Sequence, residues 1–146
     1  MRVPLMLAAV MVSGALAAGC DAPPEDSNLS DVQRRLEGTW VREYEDSGAQ
    51  VRRVLVLHPD GQFDEESRAR IKGQIVSHNR HSGKWLFDGT NLKRKYMLID
   101  GKQPSAPIVP FAAFQLRFES RYVFVGTDNV RKREVRYERA VEGTQP

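Results

Sequence analysis

The chain has 146 residues and carries 22 lysine and arginine residues against 19 acidic residues, a formal net charge of +3 at pH 7. That length supports one domain with a real hydrophobic core and excludes an array of several domains. A single cysteine, Cys20, excludes an intramolecular disulfide.

The first twenty residues predict an export signal. Met1 and Arg2 supply a cationic start, and residues 3–18 form an uncharged run rich in Leu, Met, Ala and Val. This run is short for a bilayer span, whereas its length and the small residues at its end are typical of a signal that a peptidase removes. Because an exported chain rarely keeps one exposed thiol, the place of Cys20 directly after the run needs an explanation.

The end of this run resembles the lipobox of bacterial lipoproteins. The resemblance is carried by Leu16-Ala17-Ala18-Gly19-Cys20, with Ala17 at the place where the commonest lipobox has leucine. It implies that residues 1–19 are a signal peptide and that Cys20 receives a diacylglyceryl group and an acyl chain such as palmitate. We therefore expect a cell-envelope protein anchored to the inner or outer membrane, with its domain facing the periplasm or the cell exterior. The alternative is an ordinary secretory signal followed by an incidental free cysteine.

Residues 20–29 have the composition of a tether. Pro23 and Pro24 lie among acidic residues without apolar periodicity, which predicts a lipidated, disordered segment. Ten such residues reach about 17 Å by random-coil scaling, enough to hold a folded domain just clear of the headgroups.

A short helix over residues 29–36 is predicted next. Asn28 or Ser30 is a suitable N-cap, and Val32 and Leu36 share one face. This helix leads directly into the first strand.

Asp-Gly pairs then separate segments with the composition of strands. The pairs are Asp60-Gly61, Asp88-Gly89 and Asp100-Gly101. They suit tight hairpin turns because glycine accepts a positive φ and aspartate bonds its own backbone. With residues 39–45, the segments between turns predict about eight strands, over residues 51–57, 62–71, 84–87, 92–99, 111–119, 121–125 and 130–141.

Consecutive hairpins of this number predict an all-β fold, an antiparallel up-and-down β-barrel formed by residues 30–141. Residues 142–146 are predicted to be a disordered tail. A two-sheet sandwich built from the same strands is the alternative.

Alternation along the strands predicts which side chains point into the barrel. The predicted inward positions are Leu55, Leu57, Phe63, Trp85, Phe87, Leu92, Tyr96, Leu98, Phe114, Leu116, Phe118, Val135 and Tyr137. The predicted outward positions are Arg52, Lys93, Lys95, Gln115, Arg117, Lys132, Glu134 and Arg136.

Arg94 is directed inward by its alternation with Leu92 and Tyr96, where an unpaired charge is costly. We expect it to meet the head of an anionic lipid or fatty acid. Two alternatives stay open: a one-residue bulge that turns Arg94 outward, and a salt bridge with Glu65.

Several short motifs resemble the small lipocalin-like domains of bacterial envelope proteins. They are Leu36-Glu37-Gly38-Thr39-Trp40, Leu55-Val56-Leu57-His58-Pro59-Asp60-Gly61-Gln62-Phe63, Ser82-Gly83-Lys84-Trp85 and Tyr137-Glu138-Arg139-Ala140-Val141. The resemblance implies that Gly38 and Trp40 close the barrel floor and that Arg139 stacks on the Trp40 indole. Such a stack shields the indole face while the guanidinium donates to nearby carbonyls.

A barrel of eight strands is either filled by its own side chains or holds one small ligand. The residues that we predict to bind such a ligand are Arg94, Tyr96, Trp85, Phe114 and Phe118. Composition and spacing do not separate an aromatic pocket from an aromatic core, so a packed interior stays open as the alternative.

Two stretches are candidate contact surfaces. Residues 102–110 contain three prolines and predict the longest loop, which acts as a lid, a contact surface or a stiff connector. Residues 131–133 are all basic and, with neighbouring arginines, predict a basic face for anionic lipid or polymer. Cross-strand ion pairs with Glu134 and Glu138 are the alternative.

The sequence contains no catalytic or cofactor motif. It has no G-x-S-x-G elbow, no H-E-x-x-H and no glycine-rich phosphate loop, so we predict no enzyme activity, no catalytic residue and no cofactor. His78 and His81 lie near a turn, but strand positions three apart point to opposite faces, so no metal site is predicted. Nucleic acid is not expected as a partner outside the cytoplasm.

We therefore expect a membrane-anchored, non-enzymatic binder of a small apolar or amphiphilic ligand. The alternative is a protein-interaction module, such as a periplasmic hydrolase inhibitor or an envelope assembly factor. A hollow interior favours the binder, whereas a filled interior with an exposed apolar strip favours the module.

Overall fold

The computed structural model describes residues 25–107 and 109–146. The predicted signal peptide, Cys20 and the first part of the predicted tether lie outside these residues, as does residue 108 of the long loop. Within the described residues, no helix is both long enough and apolar enough to cross a bilayer.

Helix α1 (Glu25–Leu36) precedes the barrel and begins earlier than predicted, within the segment expected to be a disordered tether. Its apolar face packs against the barrel. Leu36 is fully buried, Val32 packs against the core, and Leu29 lies beside Gly89, where an added Cβ would be 3.3 Å from the leucine Cδ1. These positions recur at helical spacing, so one stripe of α1 covers the end of the barrel.

Eight antiparallel strands follow and close into a barrel in which each strand pairs with its sequence neighbours and the first pairs with the last. They are β1 (Gly38–Asp46), β2 (Ala49–Leu57), β3 (Gln62–Ile71), β4 (Gln74–Phe87), β5 (Asn91–Ile99), β6 (Phe111–Ser120), β7 (Val123–Asp128) and β8 (Arg133–Ala140). The predicted fold class is confirmed, and the sandwich alternative is wrong.

The predicted hairpin turns form as expected. Gly61 and Gly101 have φ values of 80° and 76°, and the Asp88 carboxylate accepts the backbone N–H groups of Thr90 and Asn91 at 3.0 and 2.7 Å. The last strand begins later than predicted, because Lys132 lies in a turn at φ 54° rather than on an outward strand position.

Most predicted inward side chains are buried, and Leu98 is the exception. The pairing of β4 with β5 shifts between Ser82 and Gly83, so that Gly83 faces Tyr96 while Ser82 faces Leu98. Met97 is the extra residue of this bulge, and every position after it changes face. Gly83 permits the bulge, since a Cβ there would lie 1.9 Å from the main-chain oxygen of Lys95. The prediction that Leu98 points inward is therefore wrong, and its side chain is exposed.

The carboxyl-terminal residues lie against the outer face of β2 and β3. Arg52 Nε donates to the Gln145 oxygen at 3.1 Å, and Arg68 Nη1 donates to the Pro146 oxygen at 3.2 Å. Pro146 is buried, and Val54 is buried although its place in the alternation points it outward. The segment predicted as a disordered tail is therefore described as a cover over this part of the sheet.

The barrel floor is closed by Trp40, which is fully buried and donates from Nε1 to the Leu36 oxygen at 2.6 Å. The Arg139 Cζ lies 3.9 Å from the centroid of the indole ring, and this guanidinium also donates to the main-chain oxygens of Arg35 and Glu37. Gly38 makes room for it. At φ 112°, a Cβ at Gly38 would lie 2.6 Å from Arg139 Nη1.

We expect Gly38→Ala to lower the free energy of unfolding by about 1–2 kcal/mol more than Gly48→Ala, because only the first displaces a side chain. Both glycines have positive φ, but a Cβ at Gly48 meets nothing within 4 Å. Urea unfolding of the two variants measures the difference. Equal losses would show that the Arg139 stack contributes nothing to the floor.

Candidate functional site

The interior of the barrel holds an ion pair between β5 and β3. Arg94 is 1% exposed and donates from Nη1 to Oε2 of Glu65, which is 3% exposed. On the other side of the carboxylate, Arg53 Nη1 of β2 lies 3.7 Å from Glu65 Oε1. The salt bridge with Glu65 is therefore the alternative that is confirmed for Arg94, and the outward bulge is wrong.

Aromatic rings enclose the Arg94 guanidinium. Its Cζ lies 5.5 Å from the ring centroid of Phe114 and 5.7 Å from those of Phe63 and Tyr96. Phe63 and Tyr96 also contact each other edge to face, with centroids 5.2 Å apart. The guanidinium lies over each ring, and the electron-rich face of an aromatic ring attracts a desolvated cation.

The charges of this cluster hold each other in the ionised state. Burial alone would raise the pKa of Glu65, but Arg94 and Arg53 outweigh it and leave the pKa below its ordinary value. Burial opposes the charge of Arg94 in the same way, yet Glu65 raises the pKa of that guanidinium. Burial also raises the pKa of Tyr96 to about 12. Arg94 and Glu65 are therefore both charged at neutral pH, and Tyr96 is neutral.

The residues predicted to bind a ligand belong to the hydrophobic core or pack against it. Trp85 and Phe114 are buried, and Tyr96 and Phe118 pack against the core from its edges. The structure brings Arg94, Tyr96 and Phe114 together and places Trp85 opposite Arg94 in register. Phe118 lies apart from them, near the floor, with the Arg35 Cζ 4.1 Å from its ring centroid.

Several grooves lie at the surface of the barrel. The most apolar lies between β5 and the proline loop, with a volume of about 280 Å³, and is lined by Tyr96, Met97, Pro104, Pro107 and Val109 among others. The loop of residues 102–110 therefore contributes a groove wall, within the part of the chain that the structure describes.

The histidines do not converge. His78 Nε2 contacts Glu66 Oε1 at 2.5 Å, and His58 Nε2 contacts Asp64 Oδ2 at 2.8 Å. His81 points inward, with its ring centroid 5.9 Å from that of Tyr96. Among the described residues, no group of three potential metal ligands is found.

The basic residues near β8 are paired across the strands. Arg136 contacts Glu119 and Glu138, and Arg117 contacts Glu119 and Glu134. The outer side of β6 and β8 therefore presents ion pairs of Arg117 and Arg136 on a solvated face. This was the alternative to a free basic face.

Strand β4 leaves part of its edge unpaired, which sequence analysis did not detect. Its pairing with β5 ends near Arg80, whose N–H donates to Asp100 Oδ1 at 2.8 Å and whose oxygen accepts from the Asp100 N–H at 2.7 Å. Residues 74–79, called the β4 edge below, pair with β3 alone within the described part of the chain. Ile75 and Val76 on this segment are each 55% exposed.

The surroundings of the β4 edge are cationic. Glu66 Oε1 is the shared partner of His78, of Arg68 at 3.5 Å and of Arg80 at 3.4 Å. Lys72, in the turn between β3 and β4, adds another positive charge. An acidic group that approaches this edge therefore meets a surplus of donors.

The ion pair yields a test by paired substitution. We expect Glu65→Gln to lower the free energy of unfolding by about 3–5 kcal/mol, because it leaves Arg94 buried without a counter-charge. Glu65→Leu with Arg94→Met should lose less than Glu65→Gln, because it removes both charges of the pair, and Arg53 then keeps only the Tyr44 hydroxyl at 3.0 Å. Urea unfolding compares the three proteins.

The same variants carry a pH signature. Because the folded protein lowers the pKa of Glu65, this carboxylate contributes stability above its ordinary pKa, and that contribution is lost as the pH falls through the lowered value. Glu65→Gln should therefore lose less unfolding free energy than the wild type as the pH falls from neutral to acidic. An equal loss in wild type and variant would contradict the ionised pair.

No protein-family model matches the chain, and no curated protein matches it. The contacts described above are therefore the basis for any functional conclusion.

Proposed function

We propose that this chain is a cell-envelope lipoprotein, anchored through Cys20, whose lipocalin-like barrel is a non-enzymatic protein-interaction module. The lipobox-like segment supports the anchor, and the floor built from Gly38, Trp40 and Arg139 supports the lipocalin-like assignment. The observation that carries the proposal is the buried Arg94 guanidinium, which is paired with Glu65 and surrounded by aromatic rings.

The Arg94 and Glu65 pair argues against an anionic ligand inside the barrel. A carrier for an anionic amphiphile would present a cation without a counter-charge, whereas Arg94 already contacts Glu65 and is enclosed by rings. Displacing Glu65 from Arg94 would leave a buried carboxylate with Arg53 alone. We therefore propose that binding takes place on the outside of the barrel.

The β4 edge is the outer feature best suited to a protein. An unpaired edge presents backbone N–H and C=O groups to which an extended segment adds as a further strand. Ile75 and Val76 offer apolar contacts, while Lys72 and Arg80 favour acidic neighbours. The partner is inferred to present an extended segment in which apolar residues alternate with acidic ones.

A small apolar ligand is the second candidate, at the surface groove instead of the interior. The groove beside Tyr96 and Met97 has walls of proline and valine and a volume of about 280 Å³. That volume is slightly below the range of about 300–1,000 Å³ that is typical of small-molecule sites.

The anchor is tested by Cys20→Ser. We expect the wild-type protein from its own host to fractionate with membranes and to carry the mass of a lipidated Cys20, and the variant to lose both properties. Unchanged membrane retention of Cys20→Ser, or a wild-type protein that keeps residues 1–19, would contradict the anchor.

The module is tested by a photo-crosslinking amino acid at Ser77, on the exposed β4 edge. In the host cell we expect one discrete protein adduct, lost in Ile75→Asp with Val76→Asp because the added charges repel an acidic segment and remove apolar contacts. The matched control is Val130→Asp with Val141→Asp, two exposed valines elsewhere, which should keep the adduct.

All four substitutions are at exposed positions, so each should change stability by only about 0.5 kcal/mol. Absence of an adduct at Ser77, or an adduct that survives Ile75→Asp with Val76→Asp, would contradict binding at this edge.

A further inference from the structure

The outer face of β4, β5 and β6 differs from the other outer faces of the barrel. In register across the three strands, Lys84 lies beside Lys95 and then Phe111. In the next row, Leu86 lies beside Lys93. The bulge between β4 and β5 adds Met97 to the same side. We call these residues the lysine–apolar face: Lys84, Leu86, Lys93, Lys95, Met97 and Phe111.

The apolar members of this face are exposed to solvent. Leu86 is 50% exposed, Phe111 is 58% exposed, and Met97 is likewise exposed. Val109 of the proline loop, also exposed, continues the apolar surface beyond Met97. Several large apolar side chains on one three-stranded face are a contiguous patch of the kind that marks a contact site.

Two of the three lysines of this face lack the acidic partners that other outer faces provide. Lys84 and Lys95 are directly opposite each other and form no ion pair within the described residues, while Lys93 contacts Asp88 at 2.5 Å. Like charges directly opposite on a sheet are destabilising unless something anionic neutralises them. By contrast, the arginines on the outer side of β6 and β8 contact glutamates.

The position of α1 brings the proposed anchor to the same side of the barrel. Leu29 lies beside Gly89, in the turn that joins β4 to β5, so the amino-terminal half of the helix is next to this hairpin. The five residues from Cys20 to Glu25 extend at most about 17 Å. A lipid on Cys20 therefore keeps the β4–β5 hairpin within a short distance of the bilayer.

We propose that the lysine–apolar face rests on the surface of an anionic phospholipid bilayer. The lysine ammonium groups bind lipid phosphates, while Phe111 and Leu86 enter the boundary between headgroups and acyl chains. Long lysine side chains allow both contacts at once, because their methylene stems lie along apolar surface and their charged ends reach the phosphates. The chain-length argument rests on the proposed anchor, whereas the charge and apolar pattern of the face does not.

This orientation is compatible with partner binding at the β4 edge. Residues 74–79 lie beyond the point where β5 stops pairing with β4, towards the opposite end of β4 from the turn beside Leu29. Contact of the face with lipid would hold the barrel on its side while leaving this edge accessible to a protein.

A tryptophan reporter tests the contact in the full-length acylated protein. Trp40 and Trp85 are buried, so the indole of Phe111→Trp supplies the signal that responds to lipid. We expect brominated acyl chains to quench it in vesicles of phosphatidylcholine with phosphatidylglycerol, and much less in phosphatidylcholine alone. The matched control is Val130→Trp, at a position 91% exposed in another turn, which should stay unquenched.

Charge reversal provides the second arm. Lys84→Glu with Lys95→Glu, in the Phe111→Trp background, should reduce the quenching severalfold, and Lys72→Glu with Lys132→Glu should preserve it although the net charge changes equally. Equal quenching at both reporter positions, no quenching at either, or insensitivity to Lys84→Glu with Lys95→Glu would overturn the proposal. So would a photo-crosslinker at Phe111 that traps protein instead of lipid in the cell.

The proposed anchor at Cys20 and the proposed lipid contact of the lysine–apolar face can be contradicted independently. An unmodified Cys20 in the host protein would remove the anchor, yet the same protein would still report vesicle contact through the Phe111→Trp indole. Quenching in that unacylated protein would support the lysine–apolar face, and its absence would overturn it.

Discussion

The buried ion pair between Arg94 and Glu65 is the interaction on which the rest of the barrel depends. A cation inside a small barrel is tolerated only when a counter-charge and polarisable neighbours replace the water that it has lost. Glu65 supplies the charge, and the rings of Phe63 and Phe114 surround the guanidinium. Because Glu65 is shared with Arg53, this centre joins β2, β3 and β5 across the interior. The centre of the barrel is therefore held by two guanidiniums that share one carboxylate.

The proposed recognition takes place on the outer surface, whose faces differ. The carboxyl-terminal residues lie over β2 and β3, and ion pairs occupy the outer side of β6 and β8. The proposed contact regions are the β4 edge and the lysine–apolar face. The β4 edge exists because β4 continues beyond the end of its pairing with β5, and the bulge at Met97 adds this residue to the lysine–apolar face. The proposed protein contact and the proposed lipid contact thus belong to adjacent parts of one hairpin.

The barrel could be predicted from the sequence because short local patterns specify it. These patterns are the Asp-Gly turns, the alternating strands and the motif around Gly38 and Trp40. They also limited Arg94 to three environments, and only the three-dimensional pairing selected Glu65. Leu98 was predicted on the wrong face because the bulge depends on a close approach of Gly83 to the Lys95 oxygen, which strand alternation cannot reveal. The β4 edge was missed for a related reason, since an unpaired edge depends on where a neighbouring strand ends. Arg53 was detectable, because it alternates with Leu55 and Leu57 on β2.

The state of the Arg94 side chain tests this account most directly. In an NMR spectrum of isotope-labelled protein from its own host, we expect resolved guanidinium N–H signals that exchange slowly with water and show nuclear Overhauser contacts to the rings of Phe63, Tyr96 and Phe114. The signals should be the same after the protein is unfolded in denaturant and refolded, a treatment that strips any bound molecule. Rapidly exchanging signals, or contacts to protons that do not belong to the protein and disappear on refolding, would show that the barrel interior holds water or a ligand instead.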